Sequence, residues 1–254
     1  MIDPSTVKQL AQQFQIDEYS IYRQYLQISF LNAFYQQKHQ NIFFKGGTAL
    51  KLLYSSPRFS EDLDFSIQSS HRPKLASIIK STMFNLRLSI PKLEIKQTKT
   101  PFGLSYKLYF PLQISQQPLT IKLDFSDRDK TKYPNQQTIQ TLFPISTFSL
   151  IQAQSKKEIL AEKIHALYFR HKGRDIYDIW YLLNTKTDFD IKLINYKLKK
   201  NQVKFNFEKT IHQIQNFSPK KLKQDLNNFL PISQRQLIPQ LPNLIINQLH
   251  QLQP

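Results

Sequence analysis

The chain has 254 residues, 40% of them hydrophobic and 21% charged, an ordinary globular balance that suits one large domain or two small ones. It has no cysteine, which excludes disulfides and thiolate metal sites, and no apolar run nears the ~18 residues of a membrane span. A formal net charge of +17 favours a polyanionic partner, nucleic acid first among them, although a Lys-, Gln- and Asn-rich composition by itself makes many proteins basic. The opening Met1–Gln13 lacks the basic-then-apolar layout of a signal peptide, so a soluble cytoplasmic protein is expected.

In chain order, Ser5 to about His39 predicts two helices, with Ile21, Tyr25, Ile28, Leu31 and Phe34 as an apolar stripe. Asn41–Lys45 predicts a short buried strand, broken by Gly46-Gly47-Thr48 and followed by a helix over Ala49–Tyr54. Leu63–Ile67 alternates as a strand, and Lys74–Leu88 predicts a helix. Leu93–Lys99 and Leu104–Leu112 read as a hairpin turning at Pro101-Phe102-Gly103, and Leu119–Phe125 as another strand. From about Gln154 to His171 the pattern turns helical through Leu160, Ile164, Leu167 and Tyr168; after Gly173 it resumes through Ile176, Ile179, Trp180 and Leu183. The remainder is helical and basic, with ten Lys or Arg against three acids from Asp190 onward, and its Gln-, Leu- and Pro-rich end suits a docking tail. The expected organisation is α+β: residues 1–150 as a small mixed sheet with flanking helices, and 151–254 as a helical half.

The chemistry-bearing residues are concentrated. Of 18 acids, six fall in two short stretches: Glu61, Asp62 and Asp64, then Asp124, Asp127 and Asp129. Clustered carboxylates repel unless a cation lies among them. Two of only four glycines are adjacent, at Gly46-Gly47-Thr48, between a strand and a helix. Glycines there let backbone N–H groups approach a phosphate, and the helix start adds favourable dipole charge; Thr48 can cap the helix or bond a phosphate oxygen. Read alone, Gly-Gly-Thr is an ordinary strand-to-helix turn, and no GxxxxGK loop is present. Asp62 and Asp64, two apart on a strand, project to one side and suit hard divalent ions, whereas Leu63 and Phe65 point into the core. Asp124 is a third candidate, equally readable as a strand-end acid.

Phe44-Lys-Gly-Gly-Thr-Ala-Leu50, followed by Arg58-Phe-Ser-Glu-Asp-Leu-Asp-Phe65, resembles the AbiEii/AbiGii-type nucleotidyltransferase toxin family, which is similar to the MenT toxins and lies within the polymerase-beta-like nucleotidyltransferase superfamily. Glu158–Leu167 resembles the family's Lys-bearing helix, and Arg174-Asp175-Ile-Tyr-Asp178 its Arg-Asp-x-Tyr-Asp segment. These motifs span residues 43–183, and their order is the specific part.

The resemblance implies a polymerase-beta-like core, with the helical half contributing Lys163 and Asp175. Lys45, Gly46, Gly47 and Thr48 would bind the NTP triphosphate. Asp62, Asp64 and Asp124 would hold Mg²⁺, two ions being expected and Mn²⁺ an alternative. Lys163 would neutralise phosphate charge, and Asp175 would orient it or activate the acceptor hydroxyl. Arg58 would contact nucleotide or tRNA phosphates, an exposed arginine being the alternative. No acid pairs with Lys163 along its own helix, which favours a partner elsewhere. Asp178 reads as a helix-start acid, and Glu158 and Glu162 as a solvated face. The implied activity is nucleotide transfer to an RNA acceptor such as the tRNA 3′ end, by a toxin with a cognate antitoxin and no membrane association. Two alternatives stand beside it: AMP transfer to a protein hydroxyl, and a non-catalytic nucleic-acid-binding module.

Overall fold

The computed structural model describes residues 1–37, 39–98, 103–128 and 130–253. The turn residues Pro101 and Phe102, Lys99 at the expected end of the hairpin's first strand, and Asp129 of the second acidic stretch lie outside them. The chain divides into two compact units: unit 1 is 1–55 with 59–154, and unit 2 is 56–58 with 155–254.

Unit 1 opens with α1 (Pro4–Phe14), whose first turn is capped by the Asp3 carboxylate accepting from the Ser5 and Thr6 amides, and with Pro4 in the helix's first turn. Asp17 caps α2 (Glu18–Tyr35) in the same way through the Ser20 amide. There follow β1 (Ile42–Lys45), α3 (Gly46–Leu53), β2 (Leu63–Ile67), α4 (Arg72–Ser89), β3 (Glu94–Thr98), β4 (Leu104–Phe110), β5 (Leu119–Ser126), β6 (Pro134–Gln137) and β7 (Ile151–Gln154). Among the described residues these strands form one mixed seven-stranded sheet in the order β3-β4-β5-β2-β1-β7-β6. β2 runs parallel to β5 and β1 parallel to β7; the other pairs are antiparallel.

β5 alternates buried and partly exposed residues along its length, and β2 and β4 over part of theirs, so one face is core and the other more open. Ile42, Phe44, Leu63, Phe65, Ile121, Leu123 and Phe125 are buried. Phe65 and Phe125 stack at 4.6 Å across the parallel pair, and Phe34 of α2 meets both at 5.4 and 5.8 Å. The predicted stripe Ile21, Tyr25, Ile28, Leu31 and Phe34 is buried, but burial extends around most of α2, including Gln24 and Gln27. Gly103, with φ +81°, immediately precedes β4 where a Cβ would run into the Phe125 carbonyl, so only glycine suits this corner. β6 and β7 are additions to the predicted strands.

Unit 2 is helical: α5 (Lys156–Phe169), α6 (Gly173–Asn184), α7 (Ile191–Leu198), α8 (Phe207–Gln215), α9 (Pro219–Leu226), a 3-10 helix over Ile232–Gln240 and α10 (Leu241–Gln251). Gly173 starts α6, and its amide donates to the Asp225 carboxylate of α9 at 2.6 Å. The C-terminal stretch, expected as a docking tail, is instead core. α10 buries Leu241, Ile245, Ile246 and Leu249 and packs on α6 and α8. Among the described residues no helix is long and apolar enough to cross a membrane.

Candidate active site

In unit 1, the open face of the sheet carries the acids. The parallel register sets Asp64 of β2 directly beside Asp124 of β5, and the antiparallel register sets Lys45 of β1 on the other side of Asp64. Neighbouring strands lie about 4.8 Å apart, so two carboxylates in this relation face one patch. Phe65 and Phe125, one residue further on, take the opposite face and anchor the pair through their stacking.

Gly46 closes one side of this patch. Its φ is +78°, and a Cβ there would stand 2.6 Å from Asp64 Oδ2. The backbone therefore favours glycine, and the missing Cβ leaves the Asp64 carboxylate its place. α3 begins at Gly46 with no side-chain cap, since its N-cap residue is Lys45. Among the described residues its first amides thus meet no side-chain cap, and they suit an anion. Thr48 differs from expectation: it is buried, and its hydroxyl donates to the Asp62 carbonyl rather than capping the helix. That bond ties the glycine turn to the segment entering β2. Gln27 of α2 holds the same segment from another side, its amide donating to the carbonyls of Ser60 and Glu61, each at 3.0 Å.

Asp62 precedes the first residue of β2 and does not share the in-register relation of Asp64 and Asp124. Among the described residues no three His, Asp or Glu side chains come together closely enough to hold a metal ion. Asp124 also accepts from Lys122 Nζ at 3.1 Å, and Asp127 pairs with Arg72 at 3.0 Å. The donor set of this patch is a carboxylate pair. Such a pair fits Mg²⁺, which keeps much of its water and is commonly held by one or two carboxylates plus substrate phosphates.

In unit 2, Lys163 and Asp175 meet in a buried ionic chain. Lys163 Nζ lies 3.1 Å from Asp175 Oδ1 and 2.7 Å from Asp178 Oδ2. Arg170 clamps Asp175 with two bonds of 2.8 Å, and Arg58 clamps Asp178 with bonds of 2.7 and 2.9 Å. The partner missing along α5 is thus supplied by α6. Burial works against the Lys163 charge, but Asp178 and Asp175 outweigh it and hold the ammonium above its ordinary pKa. Asp175 is likewise opposed by burial, yet Lys163 and Arg170 hold it down at about 2. Asp178 is lowered against its burial by Arg58 and Lys163. All three stay ionised, with Arg170 bringing one end of the chain to solvent at 52% exposure.

Three of the sequence expectations change here. Arg58 is not exposed; it is 2% accessible, with its guanidinium on Asp178. Asp178 is not a solvated helix-start acid but a fully buried anion. Glu158 is not on a solvated face: it is buried on Lys197 at 2.8 Å, with Glu162 completing that cluster at 3.1 Å. Burial lowers the Lys197 pKa, and the two glutamates more than restore it. Arg170 was not singled out from sequence; its spacing of five from Asp175, across the α5–α6 turn, carries no regular periodicity that would reveal it.

A glycine-started helix beside in-register carboxylates on a mixed sheet, together with a helical unit, fits a nucleotidyltransferase. The fold resembles MenT4, the nucleotidyltransferase toxin Rv2826c from Mycobacterium tuberculosis H37Rv, with a TM-score of 0.62 at 14% identity over 98% of this chain and 89% of that one. It also resembles JHP933 from Helicobacter pylori, with a TM-score of 0.55 at 21% identity over 93% and 96% of the two chains. A nucleotidyltransferase described as putative, from H. pylori, gives 0.55 at 20% over 94% and 100%. No curated protein matches the sequence. Residues 29–239 match the family described as Nucleotidyl transferase AbiEii toxin, Type IV TA system, and the chain belongs to that family. Membership carries an NTP substrate and a cognate antitoxin.

Proposed function

We propose that this toxin transfers a nucleotide from an NTP to an RNA acceptor, such as the 3′ end of tRNA, and that it depends on a divalent metal. The observation carrying this reading is the in-register pair Asp64–Asp124 beside the uncapped start of α3. Asp64 and Asp124, with Asp62 just ahead of β2, are assigned to Mg²⁺, two ions being expected and Mn²⁺ a substitute. Bound there, the metal neutralises phosphate charge and lowers the cost of forming the attacking oxyanion.

The chain's own residues do the positioning. The amides of Gly46 and Gly47, with Lys45 alongside, are assigned to the triphosphate. Thr48 acts through its bond to the Asp62 carbonyl, which fixes the turn against the acidic segment. Lys163 is assigned to phosphate charge and Asp175 to orienting it; the ion pair at 3.1 Å supports the second role. Arg58 belongs to this assignment as the residue that balances Asp178 and leaves Lys163 shared between two carboxylates. A net charge of +17 supports a polyanionic acceptor over a protein hydroxyl. An RNA acceptor implies action in the cytoplasm.

The test is label transfer from each of four α-³²P NTPs into total tRNA and total protein, with Mg²⁺, with EDTA, and with Asp64→Ala. Label in tRNA that disappears with EDTA and in the variant is the expected result. Label only in protein would replace RNA transfer with protein nucleotidylation. Label that survives EDTA would remove the metal from the reading.

A further inference from the structure

The open face of the sheet holds a second pattern two residues along from the acids. Lys96 of β3, Lys107 of β4 and Lys122 of β5 are direct cross-strand partners and form one row. Like charges placed directly opposite on neighbouring strands are destabilising. Lys122 is offset by Asp124, but among the described residues neither Lys96 nor Lys107 has an ion-pair partner. Both instead lie near the Tyr109 ring, at 5.5 and 5.6 Å.

The row opens into a cavity of about 350 Å³, lined by Arg23, Asp62, Lys107 and Lys122 with the hydroxyl-bearing Thr98 and Thr120, and by Glu61. Glu61 is paired with Arg23 at 3.4 Å, and the Arg23 Nε is buried without a partner among the described residues. A volume of this order is in the range of small-ligand sites. Its lining combines cations and hydroxyl groups, which suit a phosphate and a sugar, with the Asp62 carboxylate.

We propose that the lysine row binds the phosphodiester backbone of the acceptor strand and that the acceptor's terminal nucleotide enters this cavity. The inference rests on the RNA-acceptor reading above and adds the face on which the acceptor lies. An anion along the row relieves the repulsion that its three cations otherwise carry. It also brings the end of the strand beside the carboxylate pair, because Lys122 and Asp124 are next neighbours on one side of β5.

The test compares wild type with the double variant Lys96→Gln/Lys107→Gln, whose residues have no place in the assigned catalytic set. Steady-state KM is measured separately for tRNA and for the NTP, and the salt dependence of kcat/KM for tRNA is followed from low to physiological salt. The expected result is a rise in the tRNA KM of about tenfold and a salt slope shallower by roughly 1.4–1.8, as two phosphate contacts are lost. The NTP KM and kcat would stay at wild-type values, and Tm would not fall, because the variant removes like-charge repulsion from the row. A raised NTP KM with an unchanged tRNA KM would overturn the proposal and give the row to the incoming nucleotide. Unchanged values for both would also overturn it. A wild-type enzyme that labels protein and no RNA would remove the acceptor reading itself, and this assignment with it, before any variant is compared.

Discussion

Gly46 and Asp64 are fitted to each other: the space a Cβ would fill at Gly46 is occupied by the Asp64 carboxylate, 2.6 Å from Oδ2. Gly46→Ala would both strain a backbone at φ +78° and push that carboxylate away. The backbone strain costs about 1–2 kcal/mol, lowering Tm by several degrees. The displaced carboxylate costs more in rate. Misplacement of a reacting group by about 1 Å can reduce turnover ~10²-fold. Transfer rates at saturating NTP, with Tm beside them, check this. A variant of wild-type rate would show that Asp64 does no chemistry.

Arg58 and Asp178 form a buried ion pair in unit 2, with side chains 2% and 0% exposed. Arg58→Ala would leave Asp178 dependent on Lys163 alone, at a cost of about 3–5 kcal/mol. Arg58→Lys would recover only part of this, because a point charge cannot engage both carboxylate oxygens as the guanidinium does. Urea unfolding midpoints rank the three proteins. Equal stability of the lysine variant and wild type would show that the two-point geometry is unimportant.

The Lys197–Glu158 pair tests the same physics without a catalytic assignment. Lys197→Met would take the ammonium away from a fully buried glutamate, costing about 3–5 kcal/mol. Adding Glu158→Leu should restore much of the loss, since the second change removes the buried charge that Lys197 balances. If the double variant were as unstable as the single one, packing rather than charge would be limiting.

Acid should weaken unit 1 from near neutrality. Burial, opposed by the Phe34 backbone and reinforced by His71, lowers the His39 pKa to about 4 from 6.5. Its ring nitrogens reach no hydrogen-bond partner of good geometry among the described residues. The unfolded chain therefore binds a proton first as pH falls, and stability is lost between 6.5 and about 4, by about 3 kcal/mol. In unit 2, Asp175 acts in a lower window. Its stabilisation is present above 3.8 and is lost as pH falls toward about 2. His39→Phe, placed against the Phe34 ring at 4.2 Å, should flatten the upper window and leave the lower one. Tm measured from pH 2 to 7.5 checks it, and parallel curves for wild type and variant across the upper window would assign the loss there to other groups.

Elements with strong periodicity were legible in the sequence. β2 and β5 show their alternation in Leu63–Ile67 and Leu119–Phe125, and α2 its apolar stripe. β6 was not, because Pro-Asn-Gln-Gln carries no apolar alternation and pairs only through its backbone. β7 is only four residues, two of them glutamine. The site was legible as residue types, less so as geometry. Asp64 and Asp124 could be nominated separately, but their register depends on how two distant strands align, which local pattern does not encode. Arg58, Asp178 and Glu158 were misread for a related reason. A charged side chain looks solvated until its partner is known, and the partners of Arg58 and Glu158 are 120 and 39 residues away.

The sheet order has a consequence for a chain still being made. β5 lies between β4 and β2, so until residues 119–126 have been synthesised the sheet lacks the strand that joins its two halves. Gly46 and Asp64 leave the ribosome first, and at about 5–20 residues per second Asp124 follows several seconds later. During that interval the chain has half of its carboxylate pair and no platform to hold it. The carboxylate face is thus a late product of translation, and a nascent fragment ending before residue 119 is expected to be an inert one.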